Sequence, residues 1–483
     1  MAQFFPDVQP ANDEVVFGCS PGPIEELHHA DPPLPPVRVA SPSDAMRTAT
    51  LAVDTRRGRA VAGHGFNLEH TLWTCPDFRR ILGRWILTPF QPDIARVDSG
   101  QLPFARESAS PSELGREHYQ AMMDDPKYQP GWAMLRRLNR QNVRLLLGVW
   151  GGPGQFTDDG TRLGTLQPEY ADAYVEYVAA VVEYLVQRQH VSIWAVTVAN
   201  EPDGGDGTAI PPDLYAEIAS KLGPRLSQYG VLLYGPDTAS AANARPYVAR
   251  LLDDPDTLHW FGAIATHEYF TSHELADLVA DVRAGGSELP VYVTEYTSFR
   301  FGALDRGQEA SNEIGQMLDS LQVYASLMNA GADAAIYWDA VDYYQAGHAA
   351  ITRWGLLQGP NEAFAPRTRY FGFQQVLPYV QAGAMILPSE LVGPDRLSVL
   401  AIGGGARRPG ELTIAAINRT GPIQLTLTID DPSIRDFDVY VTDRDRQIER
   451  QGRVTVSGGS ATLTIPARSV TTLTASPPPD EDE

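Results

Sequence analysis

The stretch Ile193-Trp-Ala-Val-Thr-Val-Ala-Asn-Glu-Pro-Asp203 decides the fold of this chain. It opens with a mostly apolar run that is typical of a buried strand, and Asn200 and Glu201 follow where that strand would end. A second run, Val291-Tyr-Val-Thr-Glu-Tyr296, repeats the pattern with Glu295 near its end. The two glutamates are 94 positions apart, which fits three strand–helix units of about 30 residues each. This spacing predicts Glu201 on strand 4 and Glu295 on strand 7 of an eight-stranded barrel.

The segment between residues 61 and 381 alternates short apolar runs with helix-like patterns. The clearest helix patterns cover 168–188, where Pro168 suits the first turn, and 313–330. Eight strands, each followed by a helix, predict an α/β fold of the (β/α)8 TIM-barrel type. A doubly wound sheet is the alternative, but no Gly-x-Gly-x-x-Gly follows an early strand. The candidate strands are 61–69, 94–100, 143–150, 192–200, 231–237, 261–268, 290–296 and 334–340.

Both ends of the chain have a different pattern. From about residue 384 the apolar residues alternate with a period of two, and Gly, Pro, Asn and Asp separate the runs, which predicts an all-β sandwich. The alternating runs near the N-terminus are expected to join this sandwich. The predicted divisions are an extended arm at 1–36, N-terminal strands at 37–60, the barrel at 61–381, the β-sandwich at 382–475 and an acidic tail at 476–483.

The composition excludes several classes of partner. The 483-residue chain carries a formal net charge of −22, which argues against nucleic acid and anionic membranes because both require a basic face. No apolar stretch approaches the roughly 20 residues of a membrane span. The N-terminus has no visible signal peptide, so a cytoplasmic location is expected unless a leader was removed. Two cysteines, Cys19 and Cys75, do not establish a disulfide framework.

Two carboxylates on the C-terminal rim of a barrel are the groups that retaining glycoside hydrolysis requires. We expect Glu201 to be the acid/base and Glu295 the nucleophile. The pKa of Glu201 is expected to be raised by partial burial and by Glu295, and to fall when Glu295 becomes an ester. The chain has no His-Glu-x-x-His, which argues against a metal site, and no Gly-x-Ser-x-Gly, which argues against a serine nucleophile. Double displacement by two carboxylates is expected to need neither a metal nor a cofactor.

Other polar and aromatic side chains at predicted strand ends are candidates for substrate binding. Arg96 and Tyr269 are expected to hold Glu295, although Arg96 could instead pair with Asp98 or Glu69. His267 either donates to substrate or completes a hydrogen bond of the core. The aromatic side chains are either stacking platforms for sugar rings or core residues. The complete set of candidates is Asn200, Tyr269, Arg96, His267, Trp338 and Trp150, with Tyr343, Tyr344 and Trp354 as outer subsites or loop residues.

The chain resembles the clan A retaining glycoside hydrolases, most of all family 30 and next family 39. The resemblance lies in Pro168-Glu-Tyr-Ala-Asp-Ala-Tyr174, Ile193–Pro202, Val293-Thr-Glu-Tyr296 and the link from Arg369-Tyr-Phe-Gly-Phe to Val380–Leu387. It implies Glu201 as acid/base, Glu295 as nucleophile, Asn200 as partner of the sugar 2-hydroxyl and Tyr269 as helper of the nucleophile. The start of strand 1, Gly63-His-Gly-Phe, and the Trp150-Gly-Gly-Pro-Gly loop depart from the family pattern.

The sequence thus predicts a retaining β-glycoside hydrolase that cleaves O-glycosidic bonds by double displacement. The expected partner is an oligosaccharide, polysaccharide or glycoside; the resemblance includes enzymes for β-glucosides, β-xylans, β-galactans and β-fucosides. The two carboxyl groups are expected to lie about 5–5.5 Å apart. A non-hydrolytic carbohydrate-binding protein and a transglycosidase with the same residues are the alternatives. The sandwich is expected to be structural, with glycan binding as the other interpretation.

Overall fold

The computed structural model describes residues 46–68, 78–98, 116–269, 273–298, 313–342, 354–359, 364–405 and 408–475. The predicted arm at 1–36, the acidic tail and both cysteines lie outside the described residues. The described chain begins with two strands, β1 (Arg47–Val53) and β2 (Arg59–Ala60). Both lie within the segment 37–60, where N-terminal strands were predicted.

Eight parallel strands follow and close into a barrel. Each strand pairs with the next along the chain, and the last pairs with the first through the register Ala334↔Gly63 to Tyr337↔Phe66. The predicted TIM barrel is therefore confirmed, and each predicted strand overlaps one that is observed. The barrel strands are β3 (Gly63–Leu68), β4 (Ile94–Asp98), β5 (Arg144–Gly148), β6 (Ala195–Thr197), β7 (Leu232–Thr238), β8 (Phe261–His267), β9 (Val291–Tyr296) and β10 (Ala334–Tyr337).

Helices connect the barrel strands and cover the outside of the barrel. The segment 168–188 is helical throughout, from a 3₁₀ turn at Pro168–Tyr170 to a π-helical turn at Tyr184–Arg188. Its Tyr174 hydroxyl donates to the carbonyl of Val198, 2.8 Å away, and so joins the helix to the end of β6. The helices are α1 (Phe78–Leu82), α2 (Thr88–Phe90), α3 (Arg116–Met123), α4 (Gln129–Arg140), α5 (Ala171–Glu183), α6 (Pro212–Ser227), α7 (Ala241–Leu252), α8 (Pro255–Leu258), α9 (Glu274–Ala284), α10 (Glu313–Asn329) and α11 (Thr368–Val376).

The remaining strands form a second, all-β unit of two sheets. Besides β1 and β2, its strands are β11 (Met385–Ile386), β12 (Ser389–Val392), β13 (Leu397–Gly403), β14 (Leu412–Asn418), β15 (Ile423–Ile429), β16 (Asp436–Thr442), β17 (Glu449–Thr455), β18 (Ser460–Ile465) and β19 (Ser469–Ala475). The four-stranded sheet has the order β12-β1-β15-β18, and the seven-stranded sheet has the order β17-β16-β19-β14-β13-β11-β2. The N-terminal strands therefore join this unit, as predicted, and the structure adds that each sheet contains one of them.

The alternating runs of the sequence, at 397–402, 412–417, 423–429, 438–442 and 461–465, do not include β19, although it is a central strand between β14 and β16. Its threonines do not produce an apolar alternation, yet Thr471 and Thr472 are buried. The hydroxyl of Thr472 accepts a hydrogen bond from the Gln375 amide, 3.1 Å away, which offsets the cost of burying it.

The seven-stranded sheet joins the sandwich to the barrel because its two faces pack in different cores. On β14, Ile414 and Ala416 pack in the sandwich core, whereas Ala415 and Ile417 belong to the core that includes the barrel helices. This follows from the two-residue period of a strand, which points successive side chains to opposite faces. None of the described helices is long and apolar enough to span a bilayer.

Candidate active site

The C-terminal ends of the barrel strands carry a connected network of buried polar side chains. β4 contributes Arg96, the end of β8 contributes His267, and β9 contributes Glu295. Asn200 and Glu201 follow β6, and Tyr269 lies two residues beyond β8. All six polar residues predicted from the sequence are therefore brought together, because parallel strands of a closed barrel end on the same rim.

Both carboxylate oxygens of Glu295 accept hydrogen bonds. The Arg96 guanidinium donates to Oε1 over 2.5 Å, and the Tyr269 hydroxyl donates to Oε2. These are the two residues that were expected to hold it. Burial raises the pKa of Glu295 above its ordinary value, while His267 and Arg96 oppose that rise by stabilising the charged form.

Arg96 is the centre of the network and is fully buried. Its ion pairs are with Asp237, at 2.9 Å, and Glu295. The alternative partners from the sequence, Glu69 and the side chain of Asp98, lie outside the part of the chain that the structure describes. Its guanidinium also lies 4.3 Å from the centre of the Trp150 ring, a cation–π contact. Its other hydrogen-bond acceptors are Tyr234, Asn67 and Asn200.

Asp237, at the end of β7, is a site residue that sequence reasoning did not select. Its carboxylate is fully buried, pairs with Arg96, and accepts a hydrogen bond from Thr294. Burial would raise its pKa, but Arg96 and His267 outweigh that effect and lower the pKa to about 2. Its position could have identified it as a site residue, since Tyr234-Gly-Pro-Asp237 places a carboxylate at a predicted strand end.

Glu201 occupies an unusual backbone conformation beside this network. Its φ is +42°, a left-handed value that costs a non-glycine residue on the order of 1 kcal/mol. Its backbone N–H donates to the Asp237 carbonyl at 2.9 Å, and its carbonyl accepts from the N–H of Gly204 at 3.1 Å. These bonds hold the strained turn that aims its side chain towards Glu295.

The expectation of a raised pKa for Glu201 is wrong for the structure as it stands. Burial does raise the pKa, but hydrogen bonding and charge from His267, with smaller contributions from the Asp206 N–H and Arg96, lower it below its ordinary value. Oε1 lies 2.9 Å from His267 Nδ1, and Oε2 accepts from the backbone of Asp206. The sequence did not reveal either donor. His267 is 66 residues from Glu201, and the Asp206 N–H meets Glu201 only because of the path of the intervening loop.

His267 lies among three carboxylates. Its Nδ1 is 2.9 Å from Glu201 and 3.5 Å from Glu295, and its Nε2 is 3.6 Å from Asp237. Burial disfavours the charged imidazolium, but Glu295, Asp237 and Glu201 outweigh burial and raise the pKa to about 10. At neutral pH the ring is therefore a cation that donates to Glu201.

The two glutamates are close enough to act on one bond. Single ligand atoms of Glu201, His267 and Glu295 all lie within 4.8 Å of one another. This arrangement would also reach around a metal ion. In this structure Nδ1 of His267 faces Glu201 instead, and Arg96 pairs with Glu295.

Aromatic side chains line the site next to Arg96. Trp150 and Trp338 have ring centres 6.1 Å apart with an angle of 33° between their planes. Trp338, Trp354 and Tyr269 form one apolar cluster, against which Trp150 packs. Trp338 and Trp354 are each only 8% exposed, so they form an inner wall of the site. Tyr343 and Tyr344 lie outside the described residues.

Asn200 is fixed in a single amide orientation. Arg96 donates to its Oδ1 at 2.6 Å, and its Nδ2 donates to the Asp206 carbonyl at 2.6 Å. Because arginine can only donate, the amide oxygen must face Arg96. One N–H of the amide group remains for another acceptor.

No protein-family model and no curated protein matches this sequence. Solved structures do match. A family 30 endoxylanase from Clostridium papyrosolvens C71 is 17% identical with a TM-score of 0.68, covering 89% of this chain and 100% of that chain. An endo-β1,6-glucanase is 15% identical with a TM-score of 0.65, covering 89% and 94%. A family 39 enzyme from Xanthomonas axonopodis pv. citri is 13% identical with a TM-score of 0.58, covering 91% and 100%.

The endoxylanase and the Xanthomonas enzyme come from the two families that the sequence motifs resemble. At such identities the likeness establishes the fold, a TIM barrel with an associated β-sandwich. The chemistry of this chain has to be argued from its own residues.

Proposed function

We propose that this protein is a retaining β-glycoside hydrolase that acts on carbohydrate substrates. The observation that carries the proposal is the pair of buried carboxylates, Glu201 and Glu295, with an oxygen of each within 4.8 Å of the other. Retaining enzymes keep their carboxyl groups about 5–5.5 Å apart, whereas inverting enzymes leave about 6.5–9.5 Å for a water molecule. The endoxylanase and the endo-β1,6-glucanase of the same fold are consistent with a glycan substrate.

In the proposed reaction, Glu295 attacks the anomeric carbon while Glu201 protonates the departing glycosidic oxygen. A covalent glycosyl–enzyme ester forms, and Glu201 then removes a proton from the water that hydrolyses the ester. Arg96 and Tyr269 orient Glu295 and favour its charged form before attack. His267 lies across a 2.9 Å hydrogen bond from Glu201 and lowers the pKa of Glu201 in the free protein.

The remaining polar and aromatic groups suit the binding of a sugar ring. The free N–H of Asn200 can donate to the 2-hydroxyl, and Trp338 and Trp150 offer flat apolar surfaces to the C–H faces of a sugar. The site thus combines the two reacting carboxylates with donors and aromatic walls, as an enzyme that acts on neutral carbohydrates requires.

A hydrolysis screen tests the proposal. Wild type and Glu295→Gln are assayed on aryl β- and α-glycosides of several sugars and on β-linked polysaccharides, and the anomer released first is identified by NMR. We expect one class of β-glycoside to be cleaved with retention, and Glu295→Gln to lose activity by at least about 10³-fold, since the nucleophile is removed.

The other outcomes identify the rival functions. Equal activity in both proteins would remove Glu295 from catalysis. Transfer of the sugar to an added acceptor, in preference to water, would identify a transglycosidase. Glycan binding without turnover across the whole panel would identify a carbohydrate-binding protein.

A further inference from the structure

We propose that Gly205 and the backbone of Asp206 form a positioning element that holds Oε2 of Glu201 as a hydrogen-bond acceptor and leaves Oε1, beside His267, to carry the proton for acid catalysis. The inference rests on the proposed function, and it assigns roles to two residues that do not belong to the catalytic pair.

The chain after β6 folds back onto Glu201. The Asp206 N–H donates to Glu201 Oε2 over 2.5 Å, while the Asp206 carbonyl accepts from Asn200 Nδ2 at 2.6 Å. One residue therefore orients both members of the Asn200–Glu201 pair. Asp206 is five residues beyond Glu201, so the contact forms only because the loop between them turns back.

The loop approaches Glu201 so closely that a side chain at position 205 would displace the Glu201 carboxyl group. A Cβ atom there would lie 1.9 Å from Glu201 Oε2 and 2.7 Å from its Cδ. Gly207 is constrained in the same way, because its Cβ would lie 1.9 Å from the Asn200 carbonyl oxygen. Gly205 does not adopt a left-handed φ, so the main obstacle to alanine there is the carboxyl group of Glu201.

A neighbouring loop, 157–166, holds this segment in place. The N–H of Ala209 donates to the Gly164 carbonyl at 3.1 Å, and the Thr208 hydroxyl donates to the Arg162 carbonyl at 2.8 Å. The Arg162 side chain also pairs with the Asp206 carboxylate at 3.0 Å. That pair is partly exposed and contributes little by itself, so the backbone contacts are the main anchor.

The chemical consequence concerns which oxygen of Glu201 can be protonated. A peptide N–H can only donate, so Oε2 remains an acceptor in this arrangement. The neutral carboxyl group then presents its carbonyl oxygen to Asp206 and carries its hydroxyl at Oε1, where a lone pair of the hydroxyl can still accept from His267. The charged or titratable groups facing Glu201 are His267, Glu295, Arg96, Tyr269, Asp203 and Asp206 with its partner Arg162.

Gly205→Ala tests the positioning role, with Gly421→Ala as the matched control. Gly421 lies in the sandwich, where an added Cβ would have no atom within 4 Å and the backbone φ is not left-handed, so alanine is tolerated there. Each variant is assayed on two glycosides of the preferred sugar, one with a 2,4-dinitrophenyl and one with a phenyl leaving group. The dinitrophenolate departs without protonation, whereas the phenyl glycoside requires the acid.

We expect Gly205→Ala to lower kcat/KM at least about tenfold for the phenyl glycoside and less than about threefold for the dinitrophenyl glycoside. The reason is that general acid catalysis, which typically contributes about 10²–10⁴-fold, is needed only by the phenyl glycoside. The basic limb of the kcat/KM profile should move to higher pH, because a carboxylate that loses a donor binds its proton more tightly. Gly421→Ala should match wild type. Equal losses on both substrates, or no loss on either, would overturn the positioning role and leave the proposed function standing.

Crystal structures of wild type and Gly205→Ala give a readout that is independent of activity. We expect the Glu201 carboxyl group to move out of hydrogen-bond distance of the Asp206 N–H in the variant. An unmoved carboxyl group would overturn the inference. If wild type cleaves no glycoside, the proposed function fails, and this structural comparison still decides whether Gly205 and Asp206 position Glu201.

Discussion

His267 Nδ1 lies 2.9 Å from Glu201 Oε1 and 3.5 Å from Glu295 Oε2, so one imidazolium faces both carboxylates of the candidate active site. Its charge acts to lower the pKa of each glutamate, although burial still leaves the pKa of Glu295 above its ordinary value. In a retaining enzyme the acid limb of the pH profile follows the nucleophile, and the basic limb follows the acid. The histidine therefore influences both limits of the working pH range.

Replacing His267 with Asn should move both limbs of the kcat/KM profile to higher pH. Loss of the cation makes both Glu295 and Glu201 bind protons more tightly, so each pKa rises. The exposed His259 provides a matched control, and His259→Asn should leave the profile unchanged. Limbs that stay in place or move to lower pH would contradict the arrangement of charges described here.

Replacing Tyr269 with Phe should move the acid limb alone. Its hydroxyl donates to Glu295 and lowers the pKa of that residue, so removing it raises the pKa of Glu295. A hydrogen bond to a charged group is worth about 1.5–3 kcal/mol, and kcat/KM below the new limb should fall by roughly ten- to hundredfold. Tyr229→Phe removes a comparable bond to Glu183, far from the site, and serves as the control. A shift of the basic limb in Tyr269→Phe would count against the assigned roles.

Replacing Asp237 with Asn should remove part of the acid dependence of stability. The pKa of Asp237 is lowered to about 2 in the folded protein, against an ordinary value of 3.8. This carboxylate therefore stabilises the folded state at pH values above 3.8, by about 2 kcal/mol, and that contribution is lost as the pH falls through about 2.

Urea unfolding of wild type and Asp237→Asn at several pH values measures this effect. The difference in the free energy of unfolding should be largest near neutral pH and should shrink steadily below about pH 4. The exposed Asp253 gives a control, and Asp253→Asn should show a small difference at every pH. A difference between wild type and Asp237→Asn that does not vary with pH would contradict the lowered pKa.

Ile414→Ala and Ile417→Ala compare the two faces of β14. Ile414 packs in the sandwich core, and Ile417 packs in the core shared with the barrel. Each should lower the free energy of unfolding by about 2–5 kcal/mol, because each leaves a cavity in a buried core. Thr428→Ala, at an exposed position of β15, should change it by less than about 0.5 kcal/mol. A small effect of Ile417→Ala would show that the sandwich is only loosely attached to the barrel.

Local patterns of the sequence determined the elements and the candidate catalytic pair. Apolar runs ending in polar residues located the eight barrel strands, the two-residue period located most of the sandwich, and strand-end glutamates identified Glu201 and Glu295. These features are local, since the period of the chain sets the direction of each side chain. The strand β19 was not predicted because its buried residues include threonines, which do not give an apolar pattern. The Thr472 hydroxyl accepts a hydrogen bond from Gln375, a contact that no local pattern reveals.

Only the tertiary structure decided how the site residues are paired. Arg96 meets Glu295 across 199 positions and Asp237 across 141, and His267 meets Glu201 across 66. Barrel closure and the path of each loop determine these distances, and the pKa of each group follows from them. The sequence could therefore name Glu201 as the candidate acid, but its lowered pKa and its contact with the Asp206 backbone depend on groups that only the fold brings within a few ångströms.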